Sequence, residues 1–294
     1  DLAARIEKWS RQLRNADKVE IRLNATKQLG DLGAEAASAI PDLVRAMKAD
    51  KDKNVRAYSI RAVQAMGSKG KAAIPGFIAV LKGDKEELPR CMAADALGNL
   101  GEASKEAVPL LAAALKDKDV GPHAAQALGR IGAEAKGVVK ELGDALREKE
   151  TRSPAALALG RIGEPALPIL EKALRDTEED VRVETVLALG QMGKKGVPLL
   201  VKALTVDKES DVRMNAAGTL AKLGDEATGA ADALARMVAV DKSTDVRIAC
   251  IDALRTTGKG NKAAIESLEK ASKEKDAKIS ERAADALRVV KVEK

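Results

Sequence analysis

Arg22, Arg56 and Arg90 stand 34 residues apart, as do Gly33, Gly67 and Gly101, and again Pro41, Pro75 and Pro109. A chain that repeats at such a period is a stack of one small unit, because a single copy cannot bury its own apolar side. The frame continues with some steps cut to 30 or 31, and its Gly recurs at Gly132, Gly163, Gly193, Gly224 and Gly258. VRAYSIRAVQAMG (55–67), VRVETVLALGQMG (181–193), VRMNAAGTLAKLG (212–224) and VRIACIDALRTTG (246–258) share the template.

Counted from the template Arg, apolar or small residues fall at helical spacing. In the sixth repeat they are Val181, Thr185, Val186, Ala188, Leu189 and Met192. The Gly eleven residues on predicts the end of this first helix. A second apolar helix follows, as in IPDLVRAM (40–47), VPLLAAAL (108–115) and VPLLVKAL (197–204), with Pro suited to its first turn. Asp180, Asp211 and Asp245 are the expected N-caps of first helices. Gly30, Gly98, Gly129, Gly160 and Gly190 sit eight residues after the template position. Each costs up to ~1 kcal/mol of helix propensity, a cost that makes sense where a neighbouring helix packs close. The frame is a capping helix (1–16), eight helix pairs (17–50, 51–84, 85–118, 119–149, 150–176, 177–207, 208–241, 242–275) and a closing helix (276–294), in one repeat domain over 1–294. Trp9, three residues from Ile6, is expected as a capping core residue.

Composition removes several chemistries. The 294 residues carry one His (His123), two Cys (Cys91, Cys250) and one each of Trp, Tyr and Phe. A structural zinc site needs four Cys or His ligands, and a His-based triad has one candidate base. Scarce aromatics (Trp9, Tyr58, Phe77) argue against base stacking. His123, beside Pro122, reads as an ordinary surface or capping residue, Cys250 as core, and Cys91 as nearer the surface. The two Cys lie too many units apart to pair, and no cofactor or metal site is expected. No apolar run approaches the ~20 residues of a membrane span, so a soluble chain is expected. Its compartment stays open, and the start at Asp1 rather than Met suggests that something upstream was removed.

The pattern D-V-R-x-x-A-A-x-A-L-G-x-I-G, followed by A-x-P-x-L-x-x-A-L-x-D, resembles HEAT-like repeats of the phycobilisome-lyase type over nearly the whole chain. The resemblance implies an all-α, right-handed α-solenoid with first helices on the convex side and second helices on the concave side. It also implies a ladder tying successive repeats. Asp50, Asp84, Asp176, Asp207 and Asp241 each stand six residues before Arg56, Arg90, Arg182, Arg213 and Arg247. An anion-binding arginine row is the alternative for these residues. The ladder lapses at Gly121 and Ser280, and the stack is expected to bend or loosen near 118–123.

On the second helices the outward positions offer a small, apolar strip (Ala72, Gly76, Ala79, Leu110, Ala113), then acidic residues (Glu141, Asp144, Glu148). A basic row follows at Lys172, Lys202, Arg236 and Lys270, with Ile169 and Leu199 beside its first two members. Such a face suits an extended or helical acidic segment of a protein partner. The bland alternative is a solvated charged surface. Leu157 and Leu187 share an outward position on first helices.

Some relatives of this repeat type are di-iron hydroxylases that use His-Glu pairs, and this chain has no His-Glu dipeptide. Others excise alkylated bases with clustered aromatics, which are missing here. The function expected is non-catalytic protein or peptide binding by a monomer, without membrane contact. Phosphate-backbone binding of nucleic acid is the alternative, and bilin-lyase-like chromophore attachment a third reading.

Overall fold

A computed structural model describes residues 1–291, which contain helices and no strand. The α-helices run in chain order as α1 (Leu2–Asn15), α2 (Val19–Asp31), α3 (Ile40–Ala49), α4 (Lys53–Ala65), α5 (Ile74–Gly83), α6 (Glu87–Asn99), α7 (Val108–Ala114), α8 (Gly121–Ile131) and α9 (Val139–Ala145). They continue as α10 (Arg152–Ile162), α11 (Leu167–Ala173), α12 (Glu179–Gln191), α13 (Val197–Val206), α14 (Ser210–Leu223), α15 (Ala231–Val240), α16 (Thr244–Thr257), α17 (Lys262–Ala271) and α18 (Ala277–Val290).

The chain divides into two compact units, Asp1–Ala158 and Leu159–Lys294. In the first unit α2, α4, α6 and α8 pack in succession as one layer, and α3 packs on α5 in the other. In the second unit α12, α14, α16 and α18 form the first layer, and α13, α15 and α17 the second. The segment 118–123 lies inside the first unit rather than at its edge. In it the Asp117 carboxylate accepts from the N–H groups of Asp119 and Val120 and from Arg90.

Burial follows the template. Ala93, Ala94, Ala124, Ala125, Ala216 and Ala217, three and four residues after the template position, are wholly buried. Where that place is polar, the hydroxyl turns back into its own helix: Ser59 Oγ donates to the Val55 carbonyl and Thr185 Oγ1 to that of Val181, both at 2.7 Å. Phe77 is buried in the core. Trp9 is half-buried, with the Arg5 guanidinium 5.1 Å above its ring.

The close-packing glycines bring the first helices together. A Cβ on Gly98 would lie 2.6 Å from Ala127 Cα, and one on Gly129 2.9 Å from Ala158 Cα. Template glycines such as Gly101 (φ +57°) end first helices in the left-handed region, but Gly258 has φ −99° and the positive φ falls on Gly260.

Three features depart from the sequence expectation. Short 3₁₀ turns, such as Gly33–Ala39 and Gly101–Ala107, join the two helices of a pair. Asp180, Asp211 and Asp245 lie inside the first helical turn, and the caps are Glu178, Glu209 and Ser243. The helix begins earlier because the ladder aspartate already folds the chain: Asp207 accepts from the Glu209 N–H and Asp241 from that of Ser243. Gly76 is buried against Val44 and Met47, so it is not part of an outward strip.

Candidate functional site

The guanidinium groups build a regular device. Arg56 Nε and Nη2 hold both oxygens of Asp84 at 2.6 and 2.8 Å, and Arg213 holds Asp241 at 2.7 and 2.9 Å. Arg22 clasps Asp50 and Arg182 clasps Asp207 in the same way. The carboxylate belongs to the aspartate that closes the same repeat. The aspartate six residues before each Arg supplies its backbone carbonyl to Nη1, as Asp50, Asp84, Asp176 and Asp207 do for Arg56, Arg90, Arg182 and Arg213. Arg90 reaches Asp117, and Arg247 reaches Glu274 rather than an aspartate.

Burial alone would push the Asp241 carboxyl up, but Arg213 and the Ser243 N–H hold it below its ordinary value. The same balance holds Asp84 low beside Arg56. The hydrogen bond that each guanidinium donates to its carboxylate raises Arg56, Arg182 and Arg213 in turn. With Nε, Nη2 and Nη1 all engaged, these guanidinium groups have little left to offer a free anion. That argues against the anion-binding reading of the row.

The basic row stands on the second-layer helices of the second unit. Leu170 (α11), Leu200 (α13), Leu234 (α15) and Leu268 (α17) are wholly buried and fix the rotation of each helix. Two residues on, about 200° round the axis, come Lys172, Lys202, Arg236 and Lys270. Lys172, Arg236 and Lys270 are exposed and make no ion pair among the described residues. Lys202 differs: its ammonium lies 2.8 Å from Glu171 Oε1, and Arg175 also approaches that carboxylate. The hydrogen bond from Lys202 holds Glu171 below its usual value. The row is thus three free cations and one that is internally answered. Sequence reasoning missed this because Glu171 lies a repeat away from Lys202.

Ile169 and Leu199 are half-buried beside the row, and Leu110 holds the corresponding position in the first unit. There the position equivalent to the cations carries Arg45, Ala79, Ala113 and Asp144, all exposed. Val206 and Val240, at the ends of α13 and α15, are 72% and 62% exposed, the most exposed large apolar residues among those described. Val206 helps line a cleft of about 410 Å³ with Lys202 and Arg182.

His123 is not an idle surface residue. Its Nδ1 lies 3.0 Å from both oxygens of Asp95, on the neighbouring helix α6. The bond to Asp95, then one to Cys91, raises the imidazole to about 10 against the opposing effect of partial burial. Its protonated form is the one that binds Asp95. The stabilisation is therefore complete below about pH 6.5 and is lost as pH rises through about 10. With both side chains roughly a third exposed, the effect is expected to be about 1 kcal/mol. An NMR titration of this single imidazole is expected to show no deprotonation across neutral pH, and a midpoint near 6.5 would contradict it.

Cys91 is buried, contrary to the expectation of a more exposed thiol, and its Sγ lies 3.6 Å from the Asp119 carbonyl. Cys250 is wholly buried, and that burial pushes its thiol up to about 12. Neither forms a disulfide. Among the described residues no group of three His, Cys, Asp or Glu could hold a metal ion, and no helix is long and apolar enough to cross a membrane.

Against known proteins, a model described as HEAT repeats matches residues 74–149, 123–182, 139–197, 167–255 and 197–288. No curated protein matches the chain. Among solved structures it is similar to Kap121p, at TM-score 0.69 and 12% identity over 98% of this chain and 37% of that one. Kap121p has also been solved bound to the extreme C-terminus of the protein phosphatase Cdc14p. Importin beta is similar at TM-score 0.66 and 13% identity, over 97% of this chain and 46% of that one. The complex of CpcE and CpcF of phycocyanin lyase from Nostoc sp. PCC7120 matches at TM-score 0.45 and 22% identity, over 86% of this chain and 94% of that one. The chain spans less than half the length of Kap121p or importin beta.

Proposed function

This chain belongs to the HEAT-repeat family, and from that premise we propose that it is a non-catalytic scaffold whose second unit binds an acidic, extended segment of another protein. The observation that carries the reading is the set of free cations Lys172, Arg236 and Lys270 at one helical position, with Ile169 and Leu199 beside them. Charges on a rigid helix layer steer and orient an oppositely charged strand, and the apolar neighbours give it surface to bury. Kap121p, similar in fold alone, binds the end of another protein's chain, which supports a segment rather than a globule as the ligand. Leu110 with Ala79 and Ala113 gives the first unit a neutral counterpart to this face.

A dye-labelled peptide of alternating Glu and Leu tests the reading by fluorescence anisotropy. Binding to the intact chain is expected to weaken with salt. The triple variant Lys172→Glu, Arg236→Glu, Lys270→Glu is expected to bind at least about a hundredfold more weakly, roughly a factor of five or more per reversed charge. Lys202→Glu, whose ammonium is already engaged, is expected to matter less than any of the three. Equal binding by the wild type and the triple variant would sink the proposal. A duplex DNA oligonucleotide that bound with a steep salt dependence would replace it with phosphate-backbone recognition.

A further inference from the structure

First-layer helices of successive repeats meet at their outer edge through two positions, five residues after the template place in one repeat and two after it in the next. In the first unit this pair is Asp95 and His123, closed by an ion pair. In the second unit it is Asp252 and Arg282, closed at 2.7 Å. In the first two repeats the same positions hold Lys27 and Tyr58, which make no hydrogen bond or ion pair among the described residues. Between them α2 and α4 leave a cavity of about 490 Å³.

The floor of this cavity is built of small residues. Gly30 sits against Ala62, where a Cβ would meet the Ala62 Cα at 3.2 Å. The buried Thr26 hydroxyl is already satisfied by the Leu23 carbonyl. The wall is the phenol of Tyr58, 43% exposed and the chain's one tyrosine. The rim carries Lys27 and Arg61, both exposed and neither engaged by another side chain among the described residues. A flat apolar floor, an aromatic wall and two unspent cations select one ligand chemistry. A planar ring stacks on the phenol, and an anionic oxygen group on that ring answers Lys27 and Arg61. Asp31, one turn beyond Lys27 on α2, also lines the cavity.

We propose that the cleft between α2 and α4 is a binding site for an arene that carries a phosphate or carboxylate. The site lies on the first layer of the first unit and does not depend on the acidic-segment reading.

Isotope labelling of tyrosine alone gives one ring signal, that of Tyr58, separate from Trp9, Phe77 and the ligand. Phenyl phosphate and benzoate are expected to shift that signal saturably. Inorganic phosphate and phenol, each lacking half of the ligand, are expected to bind at least about tenfold more weakly. Lys27→Ala and Arg61→Ala are each expected to weaken phenyl phosphate about fivefold to tenfold, without moving the thermal midpoint. Tyr58→Leu, followed by calorimetry, is expected to remove the preference for phenyl phosphate over inorganic phosphate. A phosphotyrosine peptide that binds more tightly than phenyl phosphate would identify a protein side chain as the source of the ring, and one that binds no better would identify a free small molecule. No saturable shift with phenyl phosphate would overturn the assignment. So would equal affinity for inorganic phosphate, which needs no ring contact.

Discussion

Arg213→Ala is expected to destabilise the second unit by about 3 kcal/mol, the low end of the range for breaking a buried ion pair. The loss falls on what is left behind. Asp241 has a side chain only 2% exposed, and without the guanidinium its charge keeps only the Ser243 N–H and the weaker field of Arg247. The carbonyls of Asp207 and Lys208 lose their donor as well. Arg213→Lys keeps a charge but not the two-pronged grip, and is expected to recover less than half of the loss. Arg236→Ala, exposed and without an ion pair, is the control, expected to stay within about 0.5 kcal/mol.

Acid provides a second signature. In the native chain the Asp241 carboxyl is held low, so its stabilisation is present above the unfolded value and is lost as pH falls through the folded one. In Arg213→Ala burial is opposed only by the Ser243 N–H and the more distant charge of Arg247, and the carboxyl takes up its proton more readily. The gap between variant and wild type is therefore expected to narrow toward acid pH. Urea midpoints across a pH series measure it, and a gap that widened on acidification would contradict the account.

Gly98→Ala is expected to destabilise by roughly 2 kcal/mol, although helix propensity alone favours Ala by ~1 kcal/mol. The new methyl would stand 2.6 Å from Ala127 Cα, a backbone atom that moves only if α6 and α8 part. Gly218, in the interior of α14, has nothing within 4 Å of where its Cβ would lie. Gly218→Ala is accordingly expected to stabilise by up to ~1 kcal/mol. Opposite signs for one substitution at two helical glycines, read from thermal midpoints, separate contact from propensity. Matching signs would remove the close-packing account.

The sequence made the helices legible because their signals are local: apolar spacing, a terminal glycine, a proline in the first turn. Gly98 and Gly129 were also legible, since an unfavourable residue at a fixed place implies a neighbour. What remained hidden depends on pairs about one repeat apart. Glu171 and Lys202, or Asp95 and His123, meet only once the stacking register is known. The caps were misplaced at Asp180, Asp211 and Asp245 because the turn set by the ladder aspartate starts each helix upstream of them. The 3₁₀ turns left no sign because alanine- and glycine-rich stretches such as GAEAASA suit either kind of helix.

Each arginine fork takes its carboxylate from the aspartate that closes its own module, as Arg56 does from Asp84, whose carbonyl in turn accepts from Arg90 of the next module. A shortened version ending just before Asp241 would leave Arg213 as a bare cation near an open end, where water can serve it. One beginning between Arg213 and Asp241 would leave an acid with no cation to clasp it. Engineered arrays of these modules should therefore be cut or fused just after a closing aspartate, where no fork is divided.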